Sequence, residues 1–104
     1  MKEDLLKIIE HYGMMPQLKY FQSEVFELNE AVITFENTDF GKWEDKKFIF
    51  TKDIEEEIAD VLVMLKQIQY HYKIKDENIE KTMKYKIERQ LDRIEEEKTQ
   101  KNQK

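Results

Sequence analysis

Apolar residues recur every three or four positions through most of this chain, and this period most constrains how it can fold. In the stretch 16–36 the residues at this spacing are Leu18, Phe21, Val25, Leu28, Val32 and Phe35. The stretch 53–72 follows the same rule with Ile54, Ile58, Val61, Leu62, Leu65, Ile68 and Tyr72. Such spacing places side chains on one face of an α-helix. With only two glycines and one proline in 104 residues, the sequence predicts an all-α fold.

Two further stretches complete a predicted set of four helices. Residues 2–12 place apolar side chains among charges and end at Gly13, which stops a helix. Another helix is predicted to begin at Asp76, a residue suited to an N-cap, with the apolar stripe Ile79, Met83, Ile87, Leu91 and Ile94. We predict an antiparallel bundle of about four helices over residues 1–97, followed by a frayed polar tail over 98–104.

The region 37–52 interrupts the helical period and is predicted to be a loop. The helix before it is expected to start near Pro16, and Asp53 is the predicted N-cap of the helix after it. Four aromatic residues fall in this loop, namely Phe40, Trp43, Phe48 and Phe50. A connector with so many aromatic residues must pack on its own bundle, on a partner chain or over a ligand. The sequence leaves these three alternatives open.

Composition excludes several classes of function. The formal net charge is −5 and no basic block stands apart, which disfavours a duplex nucleic-acid partner. The absence of cysteine excludes disulfide scaffolds and thiolate metal sites, and it fits a reducing compartment. The first ten residues lack the apolar core of a signal peptide, and no apolar run approaches the ~18 residues of a membrane span. We therefore expect a cytoplasmic protein without a membrane partner.

Two pairs of carboxylates lie three residues apart, Glu24 with Glu27 and Glu57 with Asp60. At about 100° per residue, the first acid of each pair lies roughly 70° from the centre of its apolar stripe and the second roughly 130°. Both pairs fall on the same rotational side of their helices. Antiparallel packing of one hand turns both acidic flanks toward one cleft, and packing of the other hand turns them apart. The sequence does not choose between these arrangements.

If the acids converge, they need a counter-charge. Neighbouring carboxylates repel one another and resist burial. Mg²⁺ prefers oxygen ligands, bridges carboxylates to substrate phosphates and lowers the pKa of bound water. Between Lys19 and Lys42 no basic residue occurs that could pair with Glu24 or Glu27. These pairs therefore predict a Mg²⁺ site, although a solvated acidic face remains an alternative.

A di-iron carboxylate centre is the competing metal site. Such bundles require a glutamate three residues before a histidine on each of two helices. Neither His11 nor His71 has a glutamate at that position. The sequence therefore favours a site built from oxygen ligands alone.

Three segments together resemble the MazG-like all-α nucleoside triphosphate pyrophosphohydrolases, whose relatives include dimeric dUTPases and phosphoribosyl-ATP pyrophosphatases. The segments are Gln17-Leu18 followed by Glu24-x2-Glu27-Leu28, then Glu56-Glu57-Ile58-Ala59-Asp60-Val61, and Lys86-Ile87-Glu88-Arg89. Their order and spacing match over roughly residues 14–94. The resemblance implies Mg²⁺-dependent hydrolysis of an NTP or dNTP to the monophosphate and pyrophosphate. It also implies a homodimer or homotetramer.

The resemblance assigns roles to seven residues. It implies metal binding and catalysis by four acids and substrate binding by three others: Glu24, Glu27, Glu57 and Asp60, and then Gln17, Lys86 and Arg89. Lys86 and Arg89 correspond to the family's basic residues near the phosphates. Many family members have Glu-Glu where this chain has Ser23-Glu24, so the number of cations is open. The aromatic region 39–50 has no counterpart in the family pattern, which leaves base and sugar preference open.

Two other functions remain open at this point. A degenerate member of the same fold can serve as a non-catalytic assembly module, for which Mg²⁺ would not stabilise the protein. A nucleotide sensor would bind the same ligands without turnover. Stabilisation by metal separates the first alternative from an enzyme, and turnover separates the second.

Overall fold

The computed structural model describes residues 1–41 and 43–102, and its regular structure consists of four helices. They are α1 (Lys2–Tyr12), α2 (Met14–Glu36), α3 (Glu44–His71) and α4 (Asp76–Asn102). The predicted all-α fold with four helices is confirmed. Lys42 of the predicted loop and residues 103–104 of the predicted tail lie outside the described residues. No helix in the described ranges is both long and apolar enough to span a bilayer.

A single glycine separates α1 from α2. Gly13 has a φ of 88°, which is unfavourable for residues with a Cβ atom. Its N–H donates to the Ile9 carbonyl oxygen at 2.8 Å, so the chain passes from one helix to the next without a loop. α2 begins at Met14, two residues before the predicted start. Pro16 lies in its first turn, where a missing N–H costs no helical hydrogen bond.

The predicted loop over 37–52 is confirmed for the described residues 37–41 and 43. The third helix begins at Glu44, so the loop prediction for residues 44–52 and that of Asp53 as the N-cap were wrong. Asp53 instead lies inside α3. Glu44 and Asp45 occupy the first turn, where acidic side chains interact favourably with the helix dipole. Lys47 Nζ lies 3.6 Å from Glu44 Oε1, one helical turn away. These charged residues form helix readily although they show no apolar period.

Phe40 is the aromatic residue of the short connector that enters the core. The centre of its ring lies 5.0 Å from the centre of the Phe35 ring and 5.3 Å from that of the Phe50 ring. The Phe40 side chain is buried. Trp43 and Phe48 remain exposed. The aromatic cluster of Phe35, Phe40 and Phe50 therefore packs on the chain's own helices and closes one end of the α2–α3 pair.

Helices α2 and α3 pack antiparallel, and α1 packs mainly on α3. Gln17 near the start of α2 meets Gln67 near the end of α3. Lys2 at the start of α1 places its ammonium group 5.4 Å from the Tyr70 ring centre. Residues 1–72 form one compact unit, and residues 73–104, which include α4, form a second unit.

The core of the first unit differs from the predicted apolar stripes. Leu62 and Leu65 belong to the predicted stripe of α3, yet they are 51% and 45% exposed. In the described part of the chain, the buried apolar residues are Leu5, Ile9, Phe40 and Met64, and the buried polar residues are Gln17, Glu24, Gln67 and Gln69. Helices α2 and α3 therefore meet along the flank that carries the acids, and their apolar stripes stay partly exposed.

Candidate metal centre

Three carboxylates from α2 and α3 meet in the interface between these helices. One oxygen from each of Glu24, Glu57 and Asp60 lies within 4.8 Å of the other two. Glu24 is only 4% exposed, Glu57 is half-buried and Asp60 is exposed. We call this group the acid cluster. The helices thus pack with the hand that turns both acidic flanks toward one cleft.

Glu27 lies beside the acid cluster rather than within it. It is exposed. After burial, which is the largest cause, the charge of Glu27 and a hydrogen bond between the two carboxyl groups raise the pKa of Glu57. The group of three mutually close oxygens does not include a Glu27 oxygen. The structure thus brings all four predicted acids into one neighbourhood, with Glu27 at its edge.

Burial and repulsion both oppose ionisation of the two less exposed acids. Burial is the largest cause that raises the pKa of Glu24 above 4.5, and the charges of Asp60 and Glu27 raise it further. A hydrogen bond from the Tyr20 hydroxyl partly offsets this shift. Burial also raises the pKa of Glu57, followed by the charges of Glu27, Asp60 and Glu24. The acids therefore crowd negative charge into a partly dry site.

Two buried carboxylate oxygens have no hydrogen-bond partner within residues 1–41 and 43–102. They are Glu24 Oε2 and Glu57 Oε2. Buried polar atoms in proteins nearly always have a partner, and leaving a charged one unsatisfied is costly. A hard cation that prefers oxygen ligands is the kind of partner that such carboxylate oxygens lack. The donor set and its unsatisfied oxygens therefore fit a divalent cation such as Mg²⁺.

A cavity of about 590 Å³ opens next to the acid cluster, between α1, α2 and α3. Asp60 belongs to both the acid cluster and the cavity wall. The other lining residues are mostly apolar or aromatic: Ile8, Tyr12, Pro16, Gln17, Tyr20, Val63, Met64 and Gln67. An apolar wall with a few polar groups is typical of a small-molecule site. The cavity and the acids can thus contact different parts of one ligand.

Tyr20 links the acids to the cavity. Its hydrogen bond to Glu24, together with the charge of Glu24, raises the pKa of the Tyr20 hydroxyl. Its ring lines the cavity and is exposed. Tyr20 lies four residues before Glu24, so the two side chains are neighbours on one helical face. The same side chain therefore contacts a candidate metal ligand and the adjoining space.

Gln17, which the family resemblance places near substrate, lies in the wall of this cavity. Its Nε2 donates to Gln67 Oε1 at 2.8 Å. Sequence reasoning did not single out Gln67, although a signal was present. Gln67 lies seven residues after Asp60, as Gln17 lies seven residues before Glu24. In antiparallel helices, equal offsets of two turns bring such residues opposite one another.

Lys86 and Arg89 lie on α4 in the second compact unit. Both side chains are exposed. The Arg89 guanidinium lies 5.9 Å from the centre of the Tyr85 ring on the same helix. The role of these two residues near substrate phosphates stays a prediction.

Comparison of the chain with protein-family models, curated protein sequences and solved structures gives no match. The MazG-like resemblance therefore depends on the sequence motifs alone. The convergence of the acids and the adjoining cavity are independent of that resemblance, because they are properties of the structure. The sequence motifs and the geometry of the acid cluster and cavity are therefore two separate sources of evidence on function.

Proposed function

We propose that this chain is a cytoplasmic, Mg²⁺-dependent nucleoside triphosphate pyrophosphohydrolase of the MazG-like kind. It converts an NTP or dNTP to the monophosphate and pyrophosphate. The observation that carries the proposal is the pair of buried oxygens, Glu24 Oε2 and Glu57 Oε2, which lack a partner in the described ranges. The sequence motifs indicate the reaction, and the acid cluster and cavity support it.

Glu24, Glu57 and Asp60 are the residues that would hold Mg²⁺, because their oxygens lie within 4.8 Å of one another. Glu27 would contribute from the edge of the cluster through its contact with Glu57. When bound, Mg²⁺ would stabilise negative charge on phosphate oxygens as a Lewis acid. Carboxylates that repel one another and bind few protein donors are suited to such an ion.

The cavity offers space for the nucleoside part of the substrate. Tyr12 and Tyr20 provide aromatic rings on which a base can stack, and Gln17 provides an amide for hydrogen bonding. Asp60 lines this space as well as the acid cluster. A nucleotide whose base lies in the cavity would therefore direct its phosphates toward the acids.

In the reaction, a water oxygen bonds to one phosphorus of the α–β anhydride, and that phosphorus loses its bond to the bridging oxygen. Pyrophosphate and the monophosphate are the products. Asp60 is exposed and borders the cavity, so we assign it to orient the water and accept its proton. We assign Lys86 and Arg89 to offset negative charge on the triphosphate.

The direct test is pyrophosphate release from a panel of NTPs and dNTPs with Mg²⁺. We expect Glu57→Gln to lower kcat/KM at least about 100-fold, as loss of electrostatic stabilisation commonly does. Glu56→Gln is the matched control, because Glu56 is the adjacent, exposed glutamate of α3. Equal activity of Glu57→Gln and the wild type would remove the acid cluster from the mechanism.

A non-catalytic assembly module is the second candidate, and the exposed apolar stripe of α3 favours it. Leu62 and Leu65 remain about half exposed, as expected for a surface that binds another chain. Such a module would show no pyrophosphate release and no stabilisation by Mg²⁺. A nucleotide sensor would be stabilised by Mg²⁺ and nucleotide but would release no pyrophosphate.

The same exposed stripe supports our proposal that the enzyme is a homodimer or homotetramer. Sedimentation equilibrium should give a mass of two or four chains for the wild type. Leu62→Glu places a charge in the exposed stripe and should shift the protein to the monomer. Glu55→Lys is the control, because Glu55 is exposed on the same helix. A monomeric wild type would contradict the proposed assembly.

A further inference from the structure

Gln67 is buried more completely than its chemistry favours. Its side chain is 2% exposed, as little as the core residues Ile9 and Met64. A buried amide needs hydrogen-bond partners, and Gln67 accepts one hydrogen bond from Gln17 at 2.8 Å. Both residues line the cavity beside the acid cluster. Gln67 is therefore in a position to control how the Gln17 amide faces the cavity.

The contacts of the two amides restrict the orientation of Gln17. Its Nε2 donates to Gln67 Oε1 and lies 3.9 Å from Met64 Sδ. Gln67 Nε2 lies 3.8 Å from the same sulfur. An amide nitrogen carries two N–H groups and the amide oxygen accepts. These contacts engage the nitrogen of Gln17, and its carbonyl oxygen is then the group that can accept from an occupant of the cavity.

We propose that Gln67 is a positioning residue that gives the site its base selectivity. By accepting from Gln17, it holds that amide in one orientation, so that the Gln17 carbonyl oxygen accepts an N–H from the edge of the nucleobase. Bases that present an N–H at that edge are preferred, and bases that present an acceptor there are rejected. The inference rests on the proposed function, because the base is that of the nucleotide substrate.

Removal of the Gln67 amide should release Gln17. In Gln67→Leu the Gln17 amide can rotate by 180° and offer either its oxygen or its N–H groups. Because selectivity depends on a site group that fits one partner and not the other, this freedom should lower discrimination between bases. The binding of phosphates at the acid cluster should change less.

The first experiment measures kcat/KM of Gln67→Leu for a panel of triphosphates with different bases. We expect the ratio between the best and the poorest base to fall at least about tenfold, mainly through KM. Gln69→Leu is the matched control, because Gln69 is also buried on α3 but does not line the cavity. It should keep the wild-type ratio. A uniform loss across all bases would assign Gln67 a merely structural role and overturn the inference.

The double variant Gln17→Leu/Gln67→Leu keeps the test available if Gln67→Leu folds poorly. It removes both amides, so neither is left buried without its partner. If the two residues act as one unit, the double variant should have the same base ratio as Gln17→Leu alone. A base ratio of the double variant clearly below that of Gln17→Leu would contradict the proposed pairing.

The second experiment measures binding without catalysis. Titration of the wild type with the nucleoside 5′-monophosphates of the four bases, without Mg²⁺, should show a base preference that Gln67→Leu loses. If this occurs without pyrophosphate release from triphosphates, the proposed reaction fails and the role of Gln67 stands. If triphosphates are hydrolysed but the wild type shows no base preference, the role of Gln67 fails and the reaction stands.

Discussion

Two regions of the α2–α3 interface differ in how they accommodate buried polar groups. At the end formed by the start of α2 and the end of α3, which we call the amide end, Gln17 Nε2 donates to Gln67 Oε1 at 2.8 Å, and both groups are neutral. In the acid cluster, near the middle of both helices, Glu24 and Glu57 each bury a carboxylate oxygen without a partner in the described ranges. Neutral groups that pair can hold their arrangement without a ligand, whereas crowded charges need a counter-ion. In our proposal, the amides therefore orient the base and the acids bind the metal.

The amide end and the acid cluster should differ most in how their variants lose activity. Glu24→Gln should lower kcat/KM at least about 100-fold, largely through kcat. It removes a carboxylate ligand of the proposed Mg²⁺, whose charge would stabilise the transition state. Gln17→Leu should lower kcat/KM about tenfold through KM, because it removes a substrate contact. Steady-state pyrophosphate release measures both. Similar losses through the same kinetic constant would contradict separate roles for the acids and the amides.

The pH dependence of stability and of Mg²⁺ binding should also distinguish the acid cluster from the amide end, because only the acids titrate. The pKa values of Glu24 and Glu57 are raised above 4.5, so the folded chain holds these protons more tightly than the unfolded chain. Their contribution to metal-free stability is full below pH 4.5 and is lost as pH rises through the raised pKa values. Mg²⁺ affinity should change in the opposite direction, and below these pKa values it should weaken about tenfold per pH unit for each of the two acids that is protonated.

Thermal melts and Mg²⁺ titrations across this range measure both trends. Glu24→Gln should reduce the fall in metal-free stability with rising pH, because it removes one of the two titrating groups. Gln17→Leu is the control from the amide end and should keep the wild-type slope. A metal-free stability that rises with pH in the wild type, and not in Glu24→Gln, would contradict the assigned cause.

A smaller effect tests the edge of the acid cluster. Glu27 contacts Glu57 but supplies no oxygen to the group of three. Glu27→Gln should therefore weaken Mg²⁺ binding about tenfold, less than Glu24→Gln, as expected for a residue that acts on a ligand. Calorimetric titration with Mg²⁺ measures both variants. A larger loss in Glu27→Gln would make Glu27 a direct ligand.

The smallest effect concerns Tyr20, which lies between the amide end and the acid cluster. Tyr20→Phe removes the hydroxyl that donates to Glu24 and should weaken Mg²⁺ binding about threefold, because one hydrogen bond contributes about 0.5–1.5 kcal/mol. Tyr12→Phe is the control, since Tyr12 lines the same cavity and should leave Mg²⁺ binding unchanged. Equal Mg²⁺ affinities for the two variants would remove Tyr20 from the acid cluster.

The features that the sequence predicted well are local. Gly13 and Pro16 fixed the boundary between α1 and α2 to within two residues, because glycine and proline act on the backbone of their immediate neighbours. The start of α3 was missed because its first turns are charged and show no apolar period. There, helix propensity and first-turn acids such as Glu44 decide the structure.

The features that required the structure depend on how the helices pack. Wheel angles placed Glu24 and Glu57 on equivalent flanks, but only the observed hand of packing shows that these flanks face each other. Gln67 became a candidate only once its distance to Gln17 was known. The apolar stripe of α3, represented by Leu62, was expected in the core and is instead half exposed. The way the helices pack against one another determines all three features: the facing acids, the contact of Gln17 with Gln67 and the exposed stripe. The apolar period of a single helix does not specify this packing.

Thermal melting of the wild type with and without Mg²⁺ tests most directly whether the acids of α2 and α3 hold a cation. At ten times its dissociation constant, Mg²⁺ contributes about 1.4 kcal/mol to the folded state. This corresponds to a rise of roughly 6–11 °C in Tm for a domain of this size. We predict this rise for the wild type and its loss in Glu24→Gln. A wild-type Tm that saturating Mg²⁺ leaves unchanged, or an equal rise in both proteins, would contradict the account.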